Sequence, residues 1–240
     1  MKTKISYLEY CKSVFDGKFE TSPFQEKVAE SFESVIKGDC KRLVIQCPPK
    51  SGKTTLSKLL LSYLKGSDSL SNHFLISYSQ QVASNSGKEV KAYTKTPQFK
   101  EFFPKFNPEE GALLPVGNFG SVCGFCYGTT SPPIEGVGIA LYDDPFRPNY
   151  TEKDINLFLE WRKQVTSVRG IGNCAEIIFY SHCFNPSIDF LGKLTKGEEW
   201  KVLKISNLCG HSDYPSPDLE EIRTSIGDRA FQSLYQFSLP

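Results

Sequence analysis

The segment Gly52-Lys53-Thr54 contains the residue types that bind phosphate and magnesium. It follows an apolar run, Arg42–Gln46, and a Pro-rich loop, and it opens a stretch of helical period. N–H groups at a helix start point towards an anion, a lysine ammonium reaches the β and γ oxygens of a triphosphate, and a threonine hydroxyl ligates Mg²⁺. The pattern G-x-x-x-x-G-K-[ST] is matched only in part, because Cys47 stands at its first Gly. An ordinary helix start is therefore the alternative.

A second group of residues with suitable chemistry ends another apolar run. Ile139–Tyr142 predicts a buried strand, and Asp143, Asp144 and Pro145 follow it directly. In ATP hydrolysis one carboxylate orders the Mg²⁺ shell, and a second positions or deprotonates the attacking water. For this pair alone, a solvated turn before Pro145 is the alternative. Because both segments occur in one chain, together they predict an ATP and Mg²⁺ site with Asp143 on the metal and Asp144 as the catalytic carboxylate.

The elements that position these residues are apolar runs of strand length, which alternate along the chain with segments of helical period. This alternation predicts an α/β fold with a mostly parallel sheet flanked by helices. Turn signals throughout Gly111–Gly138 predict strands and hairpins there. The predicted strands are Arg42–Gln46, Phe74–Tyr78, Ile139–Tyr142, Ala175–Tyr180 and Trp200–Ile205, and the predicted helices are Phe24–Ile36, Lys53–Lys65, Gln80–Tyr93, Thr151–Val168, a short one near Phe190 and a C-terminal one from Asp218.

Composition is typical of one globular domain. The 240 residues are 39% hydrophobic, a length and composition that favour a single large core. The 28 Lys and Arg balance 27 Asp and Glu, so the net charge argues neither for nor against a polyanionic partner. Residues 41–65 contain basic but no acidic side chains, which suits a phosphate ligand. No apolar run has the length of a bilayer span, and the N-terminus lacks the apolar core of a signal peptide. We therefore expect a soluble, intracellular protein.

The eight cysteines do not form the dense framework of a small secreted domain. Cys47, Cys174 and Cys183 lie in apolar runs, and we expect them to be reduced and buried. Cys123 and Cys126 form a Cys-x-x-Cys pair without a second pair at zinc spacing. This favours a core or hairpin role over metal or redox chemistry.

The order of these motifs resembles that of the large terminase subunits of tailed phages, which pump DNA into empty capsids. Pro48–Thr54 is similar to the family's Pro-Pro-Arg-x-Gly-Lys-Ser loop, which also lacks the first Gly, and Gly138–Pro145 is similar to its acidic strand ending in Asp-Asp-Pro. The resemblance covers nearly the whole chain. Further similar segments are Leu75–Ser79, Thr96–Pro104, Ile177–His182 (the family's coupling motif) and Gly227–Gln236 (the close of its ATPase domain).

The resemblance implies a P-loop ATPase of the RecA-like type that forms a single domain over residues 1–240. Residues 1–40 would be an N-terminal helical segment on the adenine side, 41–208 the P-loop core, and 209–240 a C-terminal helical segment. The chain ends where the family's metal-dependent nuclease domain would begin, so we expect no nuclease activity.

The resemblance also implies ATP and Mg²⁺ as cofactors and assigns residues to them. Catalytic roles fall to Asp144, Lys53 and Lys50, and metal ligation to Thr54 and Asp143. The implied nucleotide-binding residues are Gln25, Pro49, Lys50, Ser51, Gly52, Lys53, Thr54, Thr55 and Ser181.

Two of these residues have alternative interpretations. Gln25 matches the position that reads adenine through its amide, but it lies three residues after Ser22 and also completes a capping box. Ser181, followed by His182, matches the residue that senses the γ-phosphate. In the family, this residue transmits the presence of the γ-phosphate to the DNA-binding surface. Considered alone, Ser181 and His182 are a polar strand end.

The departures from the family pattern concern the positive charge that phosphoryl transfer needs. Lys50 replaces the usual Arg, which keeps the charge but loses the planar fork. No Lys or Arg occurs between Lys105 and Arg147, where some members carry an arginine finger. Lys50 is therefore the cis candidate in the loop, and Arg147, Arg162 and Arg169 are candidates that could reach a neighbour's site in a ring. We expect slow hydrolysis by the monomer and faster hydrolysis on assembly.

The function implied by the resemblance is an ATP-driven motor that packages double-stranded DNA into a procapsid. It would act in the host cytoplasm and transiently at the procapsid portal. Its partners would be double-stranded DNA, the portal protein, the small terminase subunit and further copies of the chain in a ring. No membrane partner is expected. Candidate DNA or subunit contacts, or else a solvated helical face, are Lys88, Lys91, Lys95 and Lys100.

Two other functions compete with this one. A helicase-like P-loop motor shares the loop and the acidic strand, but it needs a second RecA-like domain with its own arginine motif. A nucleotide-binding assembly module would hold nucleotide without turnover. The complete set of magnesium and water-positioning residues favours hydrolysis over the second alternative.

Overall fold

A computed structural model describes residues 5–14, 23–67, 72–106, 112–119, 122–128, 137–147, 149–169, 174–181, 188–205 and 216–237. Its strands are β1 (Arg42–Gln46), β2 (Asn72–Ser77), β3 (Ala112–Phe119), β4 (Val122–Gly128), β5 (Val137–Asp143), β6 (Ala175–Tyr180) and β7 (Lys201–Lys204). Its helices are α1 (Tyr7–Val14), α2 (Pro23–Ile36), α3 (Lys53–Ser67), α4 (Gln80–Tyr93), α5 (Pro97–Phe102), α6 (Glu152–Arg169), α7 (Phe190–Thr195), α8 (Ser216–Ile226) and α9 (Asp228–Phe231), and a π-helical turn, Gln232–Gln236, follows α9.

The strands within these ranges form one sheet in the order β3-β4-β2-β5-β6-β1-β7. The five strands from β2 to β7 in that order are all parallel. The other two form an antiparallel hairpin that pairs with the outer edge of β2. Parallel strands require crossover connections: α3 lies between β1 and β2, α6 between β5 and β6, and α7 between β6 and β7. The predicted α/β class with a mostly parallel sheet is confirmed, and the arrangement is compatible with a RecA-like fold.

Helices cover both faces of the sheet. Successive strand residues alternate between two core clusters: Leu43 and Ile45 of β1 pack with apolar residues of α1 to α5, whereas Val44 packs with those of α6 and α7. All six residues of β6 are buried. Parallel strands that are buried on both faces have few polar residues, which is why the apolar runs of the sequence locate β1, β5 and β6 well.

Two short helices, α1 and α5, were not predicted. In α1, Tyr7 and Tyr10 are fully buried, and their hydroxyl groups hydrogen-bond to Leu56 O at 2.9 Å and to Ser62 Oγ at 2.8 Å on α3. Short helices in water are marginal without such packing, so the contact with α3 stabilises α1. Helix α5 begins after Thr96, whose hydroxyl accepts a hydrogen bond from the N–H of Phe99 at 3.2 Å.

The C-terminal helices have an apolar cluster of their own, which confirms the predicted C-terminal helix. Phe231, Leu234 and Tyr235 are buried together against Leu219 and Ile222. The Phe231 and Tyr235 rings stack with centroids 5.0 Å apart. None of the described helices combines the length and apolar character needed to cross a membrane.

Of the cysteines expected to be reduced and buried, Cys47 follows the prediction and Cys174 follows it in part. Cys47 is buried, Cys174 is half-buried, and both are free thiols. Cys183 lies outside the described residues. Cys123 and Cys126 lie in β4 of the hairpin, and their side chains are outside the described part of the chain.

Candidate functional site

Strands β1, β6 and β5 end side by side at one edge of the sheet. Gln46 pairs with Tyr180, and Asp143 pairs with Phe179. The N–H of Cys47 donates to Tyr180 O at 3.2 Å, and the N–H of Asp144 donates to Phe179 O at 3.0 Å. Because β6 lies between the other two strands, the residue that follows it adjoins both the loop after β1 and the acidic pair after β5.

The loop between β1 and α3 makes a sharp turn towards this edge. Lys50 and Gly52 have positive φ angles of 60° and 83°. A side chain is strained at such an angle, which explains the glycine at position 52. The Gly52 carbonyl accepts the first helical hydrogen bond, from Leu56 N at 3.0 Å, and α3 begins at Lys53. The N–H groups of this first turn therefore face the sheet edge, the arrangement that binds anions.

The Lys53 ammonium joins the loop to both neighbouring strand ends. Its Nζ donates to Pro48 O at 3.0 Å and to Ser181 Oγ at 2.9 Å, and it lies 3.2 Å from Asp144 Oδ2. The N–H of Ser181 donates to the other Asp144 oxygen at 2.7 Å. Residues that are distant in the sequence therefore converge on one ammonium group.

The surroundings raise the pKa of Lys53, which keeps it charged, and also raise the pKa of Asp143. Burial is the largest single influence and lowers the pKa of Lys53, but Asp144, Cys47 and Asp143 together outweigh it, and the pKa is raised. Burial raises the pKa of Asp143 to about 6, and the charge of Asp144 adds to the rise, whereas the Thr54 hydroxyl and Lys53 oppose it. The positive charge near the two acids therefore does not offset the effect of burial on Asp143.

Asp143 and Thr54 have the chemistry of a Mg²⁺ site. Mg²⁺ prefers oxygen ligands and is commonly held by one or two protein groups together with phosphate oxygens and water. The Asp143 Oδ1 atom is buried and has no hydrogen-bond partner among the described residues. The Thr54 hydroxyl hydrogen-bonds to the same carboxyl group. A buried acceptor without a donor, next to a hydroxyl, fits this ion.

Asp144 differs from its neighbour in exposure. Its side chain is 30% exposed, whereas the whole Asp143 residue is 2% exposed. Its backbone has φ 43°, in the left-handed region. The contacts with Lys53 and Ser181 fix the carboxylate at the cavity wall, where water reaches it. Asp144 can therefore accept a proton from water, whereas Asp143 cannot contact bulk solvent.

A cavity of about 590 Å³ lies against this edge. The residues of the sequence prediction that line it are Pro49, Lys50, Gly52, Lys53, Thr54, Thr55, Asp144 and Ser181. Ser51 and Asp143 are 1% and 2% exposed and do not line the cavity. Gln25, in α2, is 8% exposed and does not line the cavity. Its adenine role stays a prediction, and Ser22 and His182 lie outside the described residues.

The sequence analysis did not identify the apolar half of the cavity. Its lining residues are Tyr78, Phe146, Tyr150, Tyr180, Ile222, Ile226, Leu234 and Tyr235. Phe146 and Tyr150 follow the acidic pair closely in the chain, which was an available signal. The residues of the C-terminal helices have no local signal that connects them to a phosphate loop, because the contact depends on the tertiary fold.

One candidate for the arginine finger was wrong. Arg162 is 2% exposed, and its Nη1 donates to both carboxylate oxygens of Glu176, at 3.0 and 2.9 Å. It also bonds Glu198, and its guanidinium lies 5.1 Å from the Trp200 ring centroid. Glu176 lies near the start of β6, so Arg162 is at the opposite edge of the sheet from Lys53. Arg147 is exposed and lines the cavity, and the side chain of Arg169 is outside the described part of the chain.

The predicted basic surface is largely exposed. Lys88, Lys95 and Lys100 are exposed, and Lys91 is half-buried. Both a solvated helical face and a contact surface are compatible with this exposure. In the described ranges there is no group of three or more His, Cys, Asp or Glu side chains that could hold a metal ion.

Lys53, Thr54, Asp144 and Ser181 thus line one cavity at three parallel strand ends. The buried Asp143 hydrogen-bonds to Thr54 beside them. Comparison with known proteins adds no name to this geometry: no family model matches the chain, and no curated protein matches it.

Proposed function

We propose that this chain is an ATP-hydrolysing domain. The observation that carries the proposal is the position of the Lys53 ammonium, 3.2 Å from Asp144 and 2.9 Å from Ser181, at the first turn of a helix that faces a 590 Å³ cavity. A fixed ammonium group and free helix N–H groups bind polyphosphate. A carboxylate at the same place supplies the acceptor that hydrolysis needs.

In the proposed reaction, the triphosphate replaces Asp144 as the anionic partner of Lys53. Lys53 and the N–H groups of the first turn of α3 then hold the β- and γ-phosphates. Asp144, released from Lys53 but still held by the N–H of Ser181, orients a water molecule for attack and accepts its proton. Mg²⁺, when bound, neutralises phosphate charge, and Thr54 and Asp143 are the residues that would hold it.

The proposed biological role is that of the motor domain of a large terminase subunit, which drives packaging of double-stranded DNA. This part of the proposal rests on the resemblance of the motifs described above. The exposed Lys88, Lys95 and Lys100 supply positive charge for a DNA backbone. The portal protein, the small terminase subunit and further copies of the chain in a ring are the other proposed partners.

The decisive experiment for hydrolysis is the Asp144→Asn variant. Nucleotide affinity and turnover are measured on the same sample, with Mg²⁺ present. We expect ATP binding to be retained and turnover to fall at least ~100-fold, the usual size of a general-base effect. Asp39→Asn, at an exposed turn before β1, is the matched control. Equal loss of affinity and turnover contradicts the roles given to the two acids, and binding without turnover by the wild type indicates an assembly module.

Duplex DNA tests the motor role. We expect linear double-stranded DNA to accelerate ATP turnover, and replacement of Lys88, Lys95 and Lys100 by Glu to abolish that acceleration. The exposed Lys37→Glu, near β1, serves as the charge control. Acceleration by single-stranded DNA alone contradicts packaging and favours a helicase-like motor.

A further inference from the structure

The cavity beside Lys53 has two chemically different halves. One half contains the loop, Lys53, Thr54, Asp144 and Ser181, which suit phosphate. The other half, apart from Arg147, consists of aromatic and aliphatic side chains, which carry no positive charge to pair with a triphosphate. A ligand that fills both halves must therefore carry an apolar, flat group in addition to its phosphates.

The apolar half has walls from two separate parts of the fold. The sheet side contributes Tyr78, Phe146 and Tyr180. Phe146 and Tyr180 are fixed by edge contacts with Phe190 of α7, with ring centroids 5.0 and 4.9 Å from it. The opposite wall comes from the C-terminal helices and contains Ile222, Ile226, Leu234 and Tyr235. This wall is therefore supplied by residues remote from every phosphate-binding motif.

Ile222, Leu234 and Tyr235 of the C-terminal wall are packed against one another. Leu234 and Tyr235 are only 4% and 7% exposed, although both line the cavity. The Phe231 ring stacks on Tyr235 with an interplanar angle of 11°, so the orientation of the Tyr235 ring is fixed before any ligand binds. Preorganised aromatic side chains of this kind lose little conformational entropy on binding.

From these observations we infer that the C-terminal wall, made of Ile222, Ile226, Leu234 and Tyr235, is the subsite for the nucleobase of the bound nucleotide. The inference rests on the proposed function, and it replaces Gln25 with the C-terminal helices as the main contact of the base. Aromatic and aliphatic walls recognise the π-face of a base and discriminate weakly between bases. The subsite therefore takes nucleoside triphosphates as a class.

The test compares ATP with inorganic triphosphate, which occupies only the phosphate half. Calorimetric titration of both ligands, with Mg²⁺, is carried out on the wild type and each variant. It gives the ratio of the dissociation constant of inorganic triphosphate to that of ATP, which falls when ATP affinity alone is lost. For Tyr235→Ala we expect ATP affinity to fall about tenfold, the usual effect of losing one stacking partner, and triphosphate affinity to stay unchanged. Tyr235→Phe should keep the wild-type ratio.

A second variant covers the case in which Tyr235→Ala loses its fold. Ile226 is 36% exposed and lines the cavity, so Ile226→Asn leaves the core intact and should lower the ATP affinity alone by a few fold. Glu221→Ala, an exposed position on the same helix, is the control and should change neither affinity.

The outcomes separate the inference from the function on which it rests. If the wild type binds neither ligand, the proposed function is wrong and the inference fails with it. If triphosphate binds but the ratio is unchanged in both Tyr235→Ala and Ile226→Asn, only the inference is wrong. A ratio that falls in Gln25→Ala and in neither C-terminal variant shows that α2 contacts the base and overturns the inference.

Discussion

Buried charge occurs at both edges of the parallel sheet, but in the described ranges a buried ion pair of opposite charges forms at only one of them. At the edge where β6 begins, Arg162 and Glu176 are almost fully buried and share two hydrogen bonds of 3.0 and 2.9 Å. At the edge where β5 ends, Asp143 has an oxygen with no partner among the described residues and a pKa raised to about 6 by burial and by Asp144.

The difference separates a structural cluster from a functional one. Buried polar groups in proteins are nearly always paired, so a buried carboxylate that lacks a donor indicates a place for a cation or a ligand. A buried ion pair neutralises its own charges, and loss of one of its members mainly affects stability. The two edges should therefore respond in opposite ways to removal of a charge.

The largest effect on stability is expected at the paired edge. Arg162→Ala leaves Glu176 buried without its main partner, and we expect the free energy of unfolding to fall by about 3–5 kcal/mol. Urea unfolding followed by circular dichroism measures it. Arg42 lies 3.4 Å from the same carboxylate, but its side chain is 40% exposed, so Arg42→Ala should cost less than about 1 kcal/mol. Similar small losses in both variants contradict the structural role.

The opposite response is expected for Lys53→Ala. Turnover of ATP should fall about 10²–10³-fold, the size found when one preorganised donor to a transition state is removed. Stability should change less than in Arg162→Ala, because the remaining Asp144 is 30% exposed and can hydrate. Steady-state ATPase assays measure the turnover, with the exposed Lys41→Ala as the control. Near-normal turnover by Lys53→Ala means that the site is assigned wrongly.

Asp143→Asn should stabilise the metal-free protein. The unfolded carboxyl group titrates near pH 4 and the folded one near about 6, so the folded state binds the proton more tightly. Asp143 therefore makes stability decrease as the pH rises between these values. At pH 8 without Mg²⁺, we expect the variant to gain about 1–3 kcal/mol in the free energy of unfolding.

Two conditions sharpen this prediction. Below pH 4 both forms of the protein carry a neutral group at position 143, so the gain should disappear there. Added Mg²⁺ should raise the melting temperature of the wild type and leave that of Asp143→Asn unchanged. A variant that is less stable than the wild type at pH 8 shows that Thr54 and Lys53 stabilise the carboxylate by more than burial destabilises it, and contradicts the prediction.

The smallest of the four effects is expected for Arg147→Ala. Arg147 is exposed at the cavity, where water weakens its interaction with phosphate, so we expect turnover to fall about tenfold, in the range for loss of a hydrogen bond to a charged group. Arg229→Ala, an exposed position on α9, is the control.

Mixing variants shows whether Arg147 acts within its own chain. Because it lines the cavity of its own chain, a mixture of Arg147→Ala with Lys53→Ala should recover no turnover beyond the sum of the two. Recovery in the mixture indicates that Arg147 completes the site of a neighbouring copy, and hydrolysis would then depend on protein concentration.

The sequence predicted the parts of this fold that depend on local periodicity. Helix α4 has the predicted bounds, Gln80–Tyr93, and strands β1 and β6 have the predicted bounds as well. Each of these segments has side chains whose spacing matches one secondary structure. The convergence of Lys53, Asp144 and Ser181 was also predictable, because each follows a strand in a sheet expected to be parallel.

Contacts between distant segments were not predictable in this way. Arg162 lies in a helix rich in charged residues, and its burial depends on Glu176 and Glu198, which are far from it in the sequence. The C-terminal wall of the cavity poses the same difficulty, since Leu234 and Tyr235 follow Phe231 at the i+3 and i+4 spacing of an ordinary amphipathic helix. Local pattern identifies which residues are apolar, and the tertiary fold determines what they face.

The left-handed backbone at Asp144 limits which residues can replace it. At φ 43° only Gly, Asn and Asp adopt the backbone conformation with little strain. Other residues lower the stability of the folded state by roughly 1–2 kcal/mol there. Glutamate keeps the carboxylate but meets this strain, whereas asparagine removes the charge and leaves the backbone unchanged. In any set of homologous chains with this loop geometry, we therefore expect position 144 to vary among Asp, Asn and Gly, and to exclude valine, isoleucine and threonine even where activity has been lost.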